Sequence, residues 1–358
     1  MASIYKIGKD LGVSSVTVSN ALNNRKGVGE KTAQRIREYA EKIGYRPSHM
    51  ARVLSKGRTQ TIGICLRSSP RNSRIASILD GLSLAVRPHG YTLNIMITDG
   101  KLENVRHALT QLAEQRVEAT VIGFLGYTNQ YLQIADQLAQ LPNVVSFGAV
   151  DNLPIDHCTD DVYQGAIEAM QYFHELGHRD IGYIGSMQME TQIPGVRNRY
   201  TAYRDALAYQ KRDFVPDWLI VDEQCQLRFN EARVDELVKL LSALKQKNHM
   251  PTAWLCHNDW VAAQMIRALH DIGLSVPGDV SLIGMDNQSI SSIAIPTITT
   301  FSFDLEQYVE GIAQMVFDRL GLGEKQSDQS LSEHAVQRRV IEPKLIVRQS
   351  TAVVGGGN

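Results

Sequence analysis

Residues 3–22 read Ser3-Ile-Tyr-Lys-Ile-Gly-Lys-Asp-Leu-Gly-Val-Ser-Ser-Val-Thr-Val-Ser-Asn-Ala-Leu22. The first half predicts a short helix: Ser3 offers an N-cap oxygen, Ile4, Ile7 and Leu11 fall at helical spacing on one face, and Gly12 permits a tight turn. Ser14 then caps a second helix over residues 15–22, with Val18, Ala21 and Leu22 facing inward. Ser15, Val16, Thr17, Ser19 and Asn20 are left outside or at its leading end. Such small and amide side chains are mediocre helix formers, and a face chosen for stability alone favours Glu, Lys and Ala. Small polar side chains let a helix lie deep in a groove, donate to phosphates and bond base edges. A third helix, from about Glu30 to Ile43, turns Ala33, Ile36, Tyr39, Ala40 and Ile43 inward and Thr32, Arg35 and Lys42 outward, and Gly44 ends it. Two helices joined by a turn of about three or four residues and braced by a third make a helix-turn-helix. Spacing alone also allows an unrelated small helical subdomain.

Charge points the same way. Residues 1–60 carry 12 Lys and Arg against 4 Asp and Glu, a net of +8, and the whole-chain charge of −1 leaves −9 for residues 61–358. A basic head on an acidic body suits a polyanion held at one end, or a merely solvated basic surface. With 358 residues, 43% apolar and 21% charged, the chain is expected to form two or three globular domains. No run approaches the roughly 18 apolar residues of a membrane span, so no membrane partner is expected. The N-terminus has no signal-peptide pattern, so the expected location is cytoplasmic. Cys65, Cys158, Cys225 and Cys256 include no Cys-x-x-Cys pair, so neither a metal nor any other cofactor is expected.

Arg46-Pro47 breaks the third helix. The next eight residues, Ser48-His-Met-Ala-Arg-Val-Leu-Ser55, can form a short helix, too short to stand alone, or a flexible linker before Gly57. From Thr61 the pattern changes. Strand-like runs at 62–66, 91–97, 119–124 and 144–147 alternate with helical segments near 75–86 and 105–115. The alternation restarts after Asp160, with strands at 180–185, 253–256 and 280–284 and helices at 165–176, 198–209, 234–244 and 260–272. Strands alternating with helices imply two lobes of parallel sheet, with a ligand cleft at the carboxyl ends of the strands.

Several spaced motifs together closely resemble the lactose-repressor/galactose-repressor (LacI/GalR) family over essentially the whole chain. They are the head sequence above, Ile43-Gly-Tyr-Arg-Pro47, Ala51-Arg52-x-Leu54, Glu175-Leu-Gly-His-Arg-Asp-Ile-Gly-Tyr-Ile-Gly185, Val276-Pro-Gly-Asp-Val-Ser-Leu-Ile-Gly-Met-Asp-Asn287 and Pro296-Thr-Ile-Thr-Thr300. The resemblance implies an N-terminal all-α helix-turn-helix domain on an α/β two-lobe, periplasmic-binding-protein-like effector domain. The division expected is a head at 1–46, a hinge helix and linker at 47–60, a first lobe of 61–160 plus 290–322, a second lobe of 161–289 plus 323–350, and a flexible tail at 351–358. The Pro296–Thr300 strand is expected to carry the chain back to the first lobe.

The resemblance also implies roles. Ser15, Val16 and Asn20 match positions that read bases, with Ser14, Thr17, Ser19 and Asn23 beside them. In the hinge, Ala51 and Leu54 match residues at the minor groove, Leu54 as a wedge that kinks the duplex. Relatives often carry Arg or His where Asn20 stands. Asn pairs with adenine where Arg prefers guanine, so operator preference at that step is expected to differ. Arg199, Asn258 and Asp286 match effector contacts suited to a polyol. Asp286 and Asp259 each fit either the effector or the capping of a neighbouring loop. Residues 67–74 lack the aromatic pair that relatives place there and carry Arg67, Arg71 and Arg74 instead. Arg74 is counted with the effector contacts, so the effector is sugar-like and either anionic or simply bordered by surface arginines.

The function expected is a regulator, in the first instance a repressor, whose grip on operator DNA is set by a small molecule. Two rivals stand beside it. An enzyme lacks support, because there is no P-loop, zinc spacing, Gly-x-Ser-x-Gly or dinucleotide fingerprint, and His157, Cys158 and Asp160 show no base–nucleophile logic. A two-lobe sugar-binding protein without DNA function leaves the basic helical head unexplained. One helix in one groove reads too few bases, so a homodimer is implied, and the tail has no heptads to drive a tetramer.

Overall fold

The computed structural model describes residues 3–22, 26–45, 57–66, 73–99, 101–123, 128–148, 154–185, 198–221, 231–322 and 335–355. The chain divides into two compact units, Met1–Thr59 and Gln60–Asn358. The expectations for Asn23, Ala51, Leu54, Arg67, Arg71 and the hinge helix lie outside the described residues.

The head is three helices: α1 (Ile4–Leu11), α2 (Ser15–Leu22) and α3 (Glu30–Lys42). Ser3 Oγ accepts the Lys6 N–H, and Gly12, at φ +68°, closes α1 by returning its N–H to Gly8 O. Ser14 Oγ accepts the Thr17 N–H at 3.0 Å and so caps α2. Ile7, Val18, Ala21, Ala33, Ile36 and Ala40 are buried together, with Leu11, Leu22, Tyr39 and Ile43 at the rim. Two long-range bonds brace α3 on α1: Arg35 donates to Leu11 O at 2.8 Å, and the Tyr39 hydroxyl donates to Asp10 at 2.7 Å.

The turn between α1 and α2 presses on Gly8, where a Cβ would lie 2.7 Å from the Val13 carbonyl oxygen. Backbone cannot yield as a side chain can, so Gly8→Ala is expected to cost the head about 1–3 kcal/mol. Amide exchange of peptides covering residues 4–22 in the full chain reads this. Undiminished protection there would argue against a packing requirement at Gly8.

The body alternates strands and helices in chain order: β1 (Thr61–Leu66), α4 (Ser73–Val86), β2 (Thr92–Ile97), α5 (Leu102–Glu114), β3 (Ala119–Gly123), α6 (Thr128–Ala139), β4 (Val144–Phe147), β5 (Asp156–Asp160), α7 (Val162–Glu175), β6 (Ile181–Gly185), α8 (Arg199–Tyr209), β7 (Leu219–Val221), α9 (Glu231–Gln246), β8 (Ala253–Cys256), α10 (Asp259–Asp271), β9 (Ser281–Met285), α11 (Ile290–Ile293), β10 (Thr299–Phe303), α12 (Leu305–Leu320), β11 (Arg338–Ile341) and β12 (Pro343–Ile346). The first lobe holds a parallel sheet in the order β11-β5-β4-β3-β1-β2. The second holds β12-β10-β9-β8-β6-β7, parallel except for the β10–β12 pair. Central strands such as β3, β6 and β9 are buried along their whole length, as helix-covered parallel strands must be.

The chain passes between lobes three times: after Asp160, after Phe303 and after Ile341. Two of these passages are bonded to each other, the Asp161 N–H donating to Ile341 O at 3.0 Å.

Several expectations need correction. The strand after Pro296 does not return to the first lobe. β10 lies between β9 and β12 in the second sheet, where Thr299, Thr300 and Phe301 are fully buried, and the return comes only at α12. Residues 290–303 therefore belong to the second lobe. Conversely β11, expected in the second lobe, pairs with β5 in the first. Residues 351–354 are not a flexible tail. Ala352 exchanges bonds with Ser281, its carbonyl also meets His178 Nε2 at 3.0 Å, and the Val354 N–H donates to Leu176 O. His157, Cys158 and Asp160 are neighbours simply because they share β5.

Candidate functional site

On α2, Val18 and Ala21 are buried and anchor the helix. Val16 is 66% exposed, a large aliphatic side chain facing water at the leading end of the helix. Ser15, Thr17, Ser19 and Asn20 are partly exposed on the same helix. Ser14 and Thr17 do structural duty as well, their hydroxyls bonded to each other at 2.8 Å. An exposed valine is what contact with a thymine methyl needs, and Asn20 offers both a donor and an acceptor to a base edge. Lys6, Lys9 and Lys31 are exposed on the neighbouring helices and can meet phosphates. Tyr5, 74% exposed on α1, was not singled out by the sequence. Its place off the Ile4–Ile7–Leu11 face is the signal that could have found it.

In the body, the carboxyl ends of the two sheets face each other across a cluster of four charges. Arg199 opens α8, whose N-cap Asn198 forms a capping box with Thr201. Its Nε rests on Met285 Sδ, and its Nη2 is 3.3 Å from Asp286 Oδ1. Asp286 follows β9 at φ +86°, rare for a residue with a side chain, and its N–H is held by Phe301 O at 2.9 Å. Arg74, in the first turn of α4, puts Nη2 2.7 Å from both oxygens of Asp160 and Nη1 3.5 Å from Asp286 Oδ1. The four side chains are only 8–15% exposed. Burial works against charge on Arg74, but the Asp160 and Asp286 carboxylates outweigh it and hold the guanidinium above its ordinary pKa.

Arg199, Asp286 and Arg74 are thus brought together. Asn258 is near them in sequence role but differs in use: its Oδ1 accepts the Val261 N–H at 3.0 Å and caps α10. Asp259 takes the structural option, fully buried and accepting from Thr300 and Gln288. Three residues join the site that the motifs did not suggest. Phe303 and Tyr308 flank the Arg74 guanidinium at 5.3 and 5.1 Å. His257, after β8, is kept neutral because burial and the Arg199 charge both push its pKa well below the ordinary value.

The model of bacterial regulatory proteins of the lacI family matches residues 3–48, and that of the periplasmic binding protein-like domain matches residues 170–351. A transcriptional repressor PurR of Aliivibrio fischeri (strain ES114) is 30% identical over 98% of this chain and 99% of its own. The chain belongs to the LacI family. This makes it a helix-turn-helix transcription regulator and not an enzyme. Another PurR repressor, from Pasteurella multocida, is 28% identical over 98% of both chains. Among solved structures, the lac repressor dimer bound to operator and the anti-inducer ONPF superposes with a TM-score of 0.80 at 19% identity, covering 98% of this chain and 99% of that one. The CelR–cellobiose complex does so at 0.67 and 21%, covering 98% and 100%. The LacI-family fold therefore extends through head and body alike. No described helix is long and apolar enough to cross a membrane.

Proposed function

We propose that this LacI-family protein is a homodimeric repressor that reads operator DNA with the α2 face of Ser15, Val16 and Asn20, and whose affinity is set by a small polyol held between the lobes by Arg199 and Asp286. The observation that carries it is the exposed, small-residue face of α2 on a head that matches the family model. The reading puts the protein in the bacterial cytoplasm, where operator DNA lies.

Self-association is supported by large aliphatic side chains left in water on the body: Ile95 and Ile97 on edge strand β2, and Ile293 and Ile295 in the second lobe, Ile295 being 91% exposed. A sugar-like effector is supported by relatives of the same fold that hold sugars, cellobiose in CelR and sucrose in a regulator from Lactobacillus casei. The charge cluster is balanced, two arginines against two aspartates, and Arg74 is already committed to carboxylates. This favours a neutral, hydroxyl-rich ligand over an anion.

A gel shift on DNA from the neighbourhood of the protein's own gene tests the operator claim, and failure to retard any such fragment at low salt would remove it. At the base level, Asn20→Ala is expected to relax preference at one base step by about 1–3 kcal/mol. Selection and sequencing of bound duplexes reads this, and unchanged preference would sink the assignment. For the effector, a thermal-shift screen of neutral, acidic and phosphorylated sugars is expected to favour neutral ones. Arg199→Ala is expected to weaken each hit roughly ten- to a hundredfold, the worth of a charge-assisted hydrogen bond. Calorimetry giving equal affinities for wild type and variant would argue against this seat.

A further inference from the structure

The contacts of Arg74 differ in kind. On one side are two 2.7 Å bonds to Asp160 and the rings of Phe303 and Tyr308. Asp160 is the last residue of β5, just before the first passage between lobes, and Phe303 is the last of β10, just before the second. Tyr308 follows that passage in the first turn of α12, its hydroxyl accepting the Gly148 N–H of the first lobe at 2.9 Å. These partners sit on the pivot and move little when two lobes rotate about it. On the other side, among the described residues, is a longer contact, 3.5 Å to Asp286 of the second lobe. Asp286 offers the same Oδ1 to Arg199 at 3.3 Å.

We propose that Arg74 is a positioning residue and an interlobe tie: anchored on the pivot by Asp160, Phe303 and Tyr308, it reaches Asp286 and holds the two lobes of the ligand-free body together. The anchor is short, made to both oxygens of a buried carboxylate and supported by cation–π contact with two aromatic rings, so it persists. The reach is long and shared, so it is the contact that breaks. A ligand engaging Asp286 competes for the oxygen Arg74 uses. It must therefore replace the interlobe bond it displaces, which sets how far it can shift the lobe equilibrium.

The tie goes beyond the operator-and-effector reading and does not rest on it, because its test contains no ligand. Hydrogen exchange of the ligand-free full chain is followed by mass spectrometry in wild type, Arg74→Met, Asp286→Asn and Arg199→Met. Arg74→Met and Asp286→Asn are each expected to speed exchange at least tenfold at Asp161 and at 286–288, while β1 and β8 keep wild-type protection. Arg199→Met, which leaves the Arg74–Asp286 contact in place, is expected to behave as wild type. The tie is overturned if neither of the first two variants accelerates the passages, or if Arg74→Met alone does so, which would make Arg74 a brace within the first lobe. It is equally overturned if Arg199→Met matches Asp286→Asn, or if acceleration spreads into β1 and β8.

Discussion

Asp156→Ala is expected to remove about 3–5 kcal/mol from the stability of the body, a large share of the roughly 5–15 kcal/mol that holds a domain folded. Asp156 opens β5 and has no exposed surface. Arg319, in the last turn of α12, closes on it with Nε and Nη2, each 2.7 Å from a different carboxylate oxygen, and the Gln337 N–H adds a third bond at 2.9 Å. One carboxylate therefore joins a strand of the first sheet, the end of the helix packed on it and the entry to edge strand β11. Truncating it leaves a guanidinium partly desolvated and a backbone N–H without its acceptor. Arg319 keeps 24% of its side-chain surface, so water recovers part of the loss and the lower half of the range is expected. Arg319→Met should cost at least as much, because it strands the buried anion. The double variant Asp156→Leu/Arg319→Met should lie closer to wild type than either single change. Guanidinium unfolding of the full chain decides: an Asp156→Ala midpoint equivalent to less than about 1 kcal/mol would mean that the three bonds only fix geometry.

What could be read from the sequence, and what could not, follows the range of each interaction. The head was legible because caps, the Ile4–Ile7–Leu11 stripe and Gly12 act within a few residues of one another. Arg199 and Asp286 were legible because each lies in a local motif. Arg74 was visible as a charge, but its partner Asp160 is 86 residues away and becomes a neighbour only through the first sheet and the passage after β5. A still longer separation in sequence hid the aromatic pair. The first-lobe loop lacks one, and Phe303 and Tyr308 come from the far end of the chain instead. Lobe membership of β10 and β11 failed for another reason. Strands of four or five residues carry too little pattern to choose between two similar sheets, and adjacent ones, β11 and β12, sit in different lobes. Helix α12 was within reach of local reasoning, with Asp304 capping its start and Gly321 at φ +67° ending it.

Asp259→Asn is expected to stabilise the protein at neutral pH and to flatten its pH profile. The carboxyl of Asp259 is buried, and burial pushes its pKa from the ordinary carboxylate value of about 4 to about 7, against the opposing bonds from Thr300 Oγ1 at 2.5 Å and the Gln288 N–H at 2.6 Å. The nearby Asp286 charge adds to the rise. The folded state thus keeps a proton that the unfolded chain releases near pH 4. Between those two values the native state binds more protons, so stability falls as pH rises and levels off above about pH 7. A pKa moved this far corresponds to roughly 4 kcal/mol, about 3 of which falls between pH 5 and 8. Asparagine does not titrate. Its oxygen can accept from the Gln288 N–H and its amide can donate to Thr300 Oγ1. The stability of Asp259→Asn minus that of wild type should therefore grow from pH 5 to 7 and then stay constant, because every other titrating group cancels in the difference. Parallel curves from unfolding at pH 5, 6, 7 and 8 would show that the buried carboxyl titrates alike in both states.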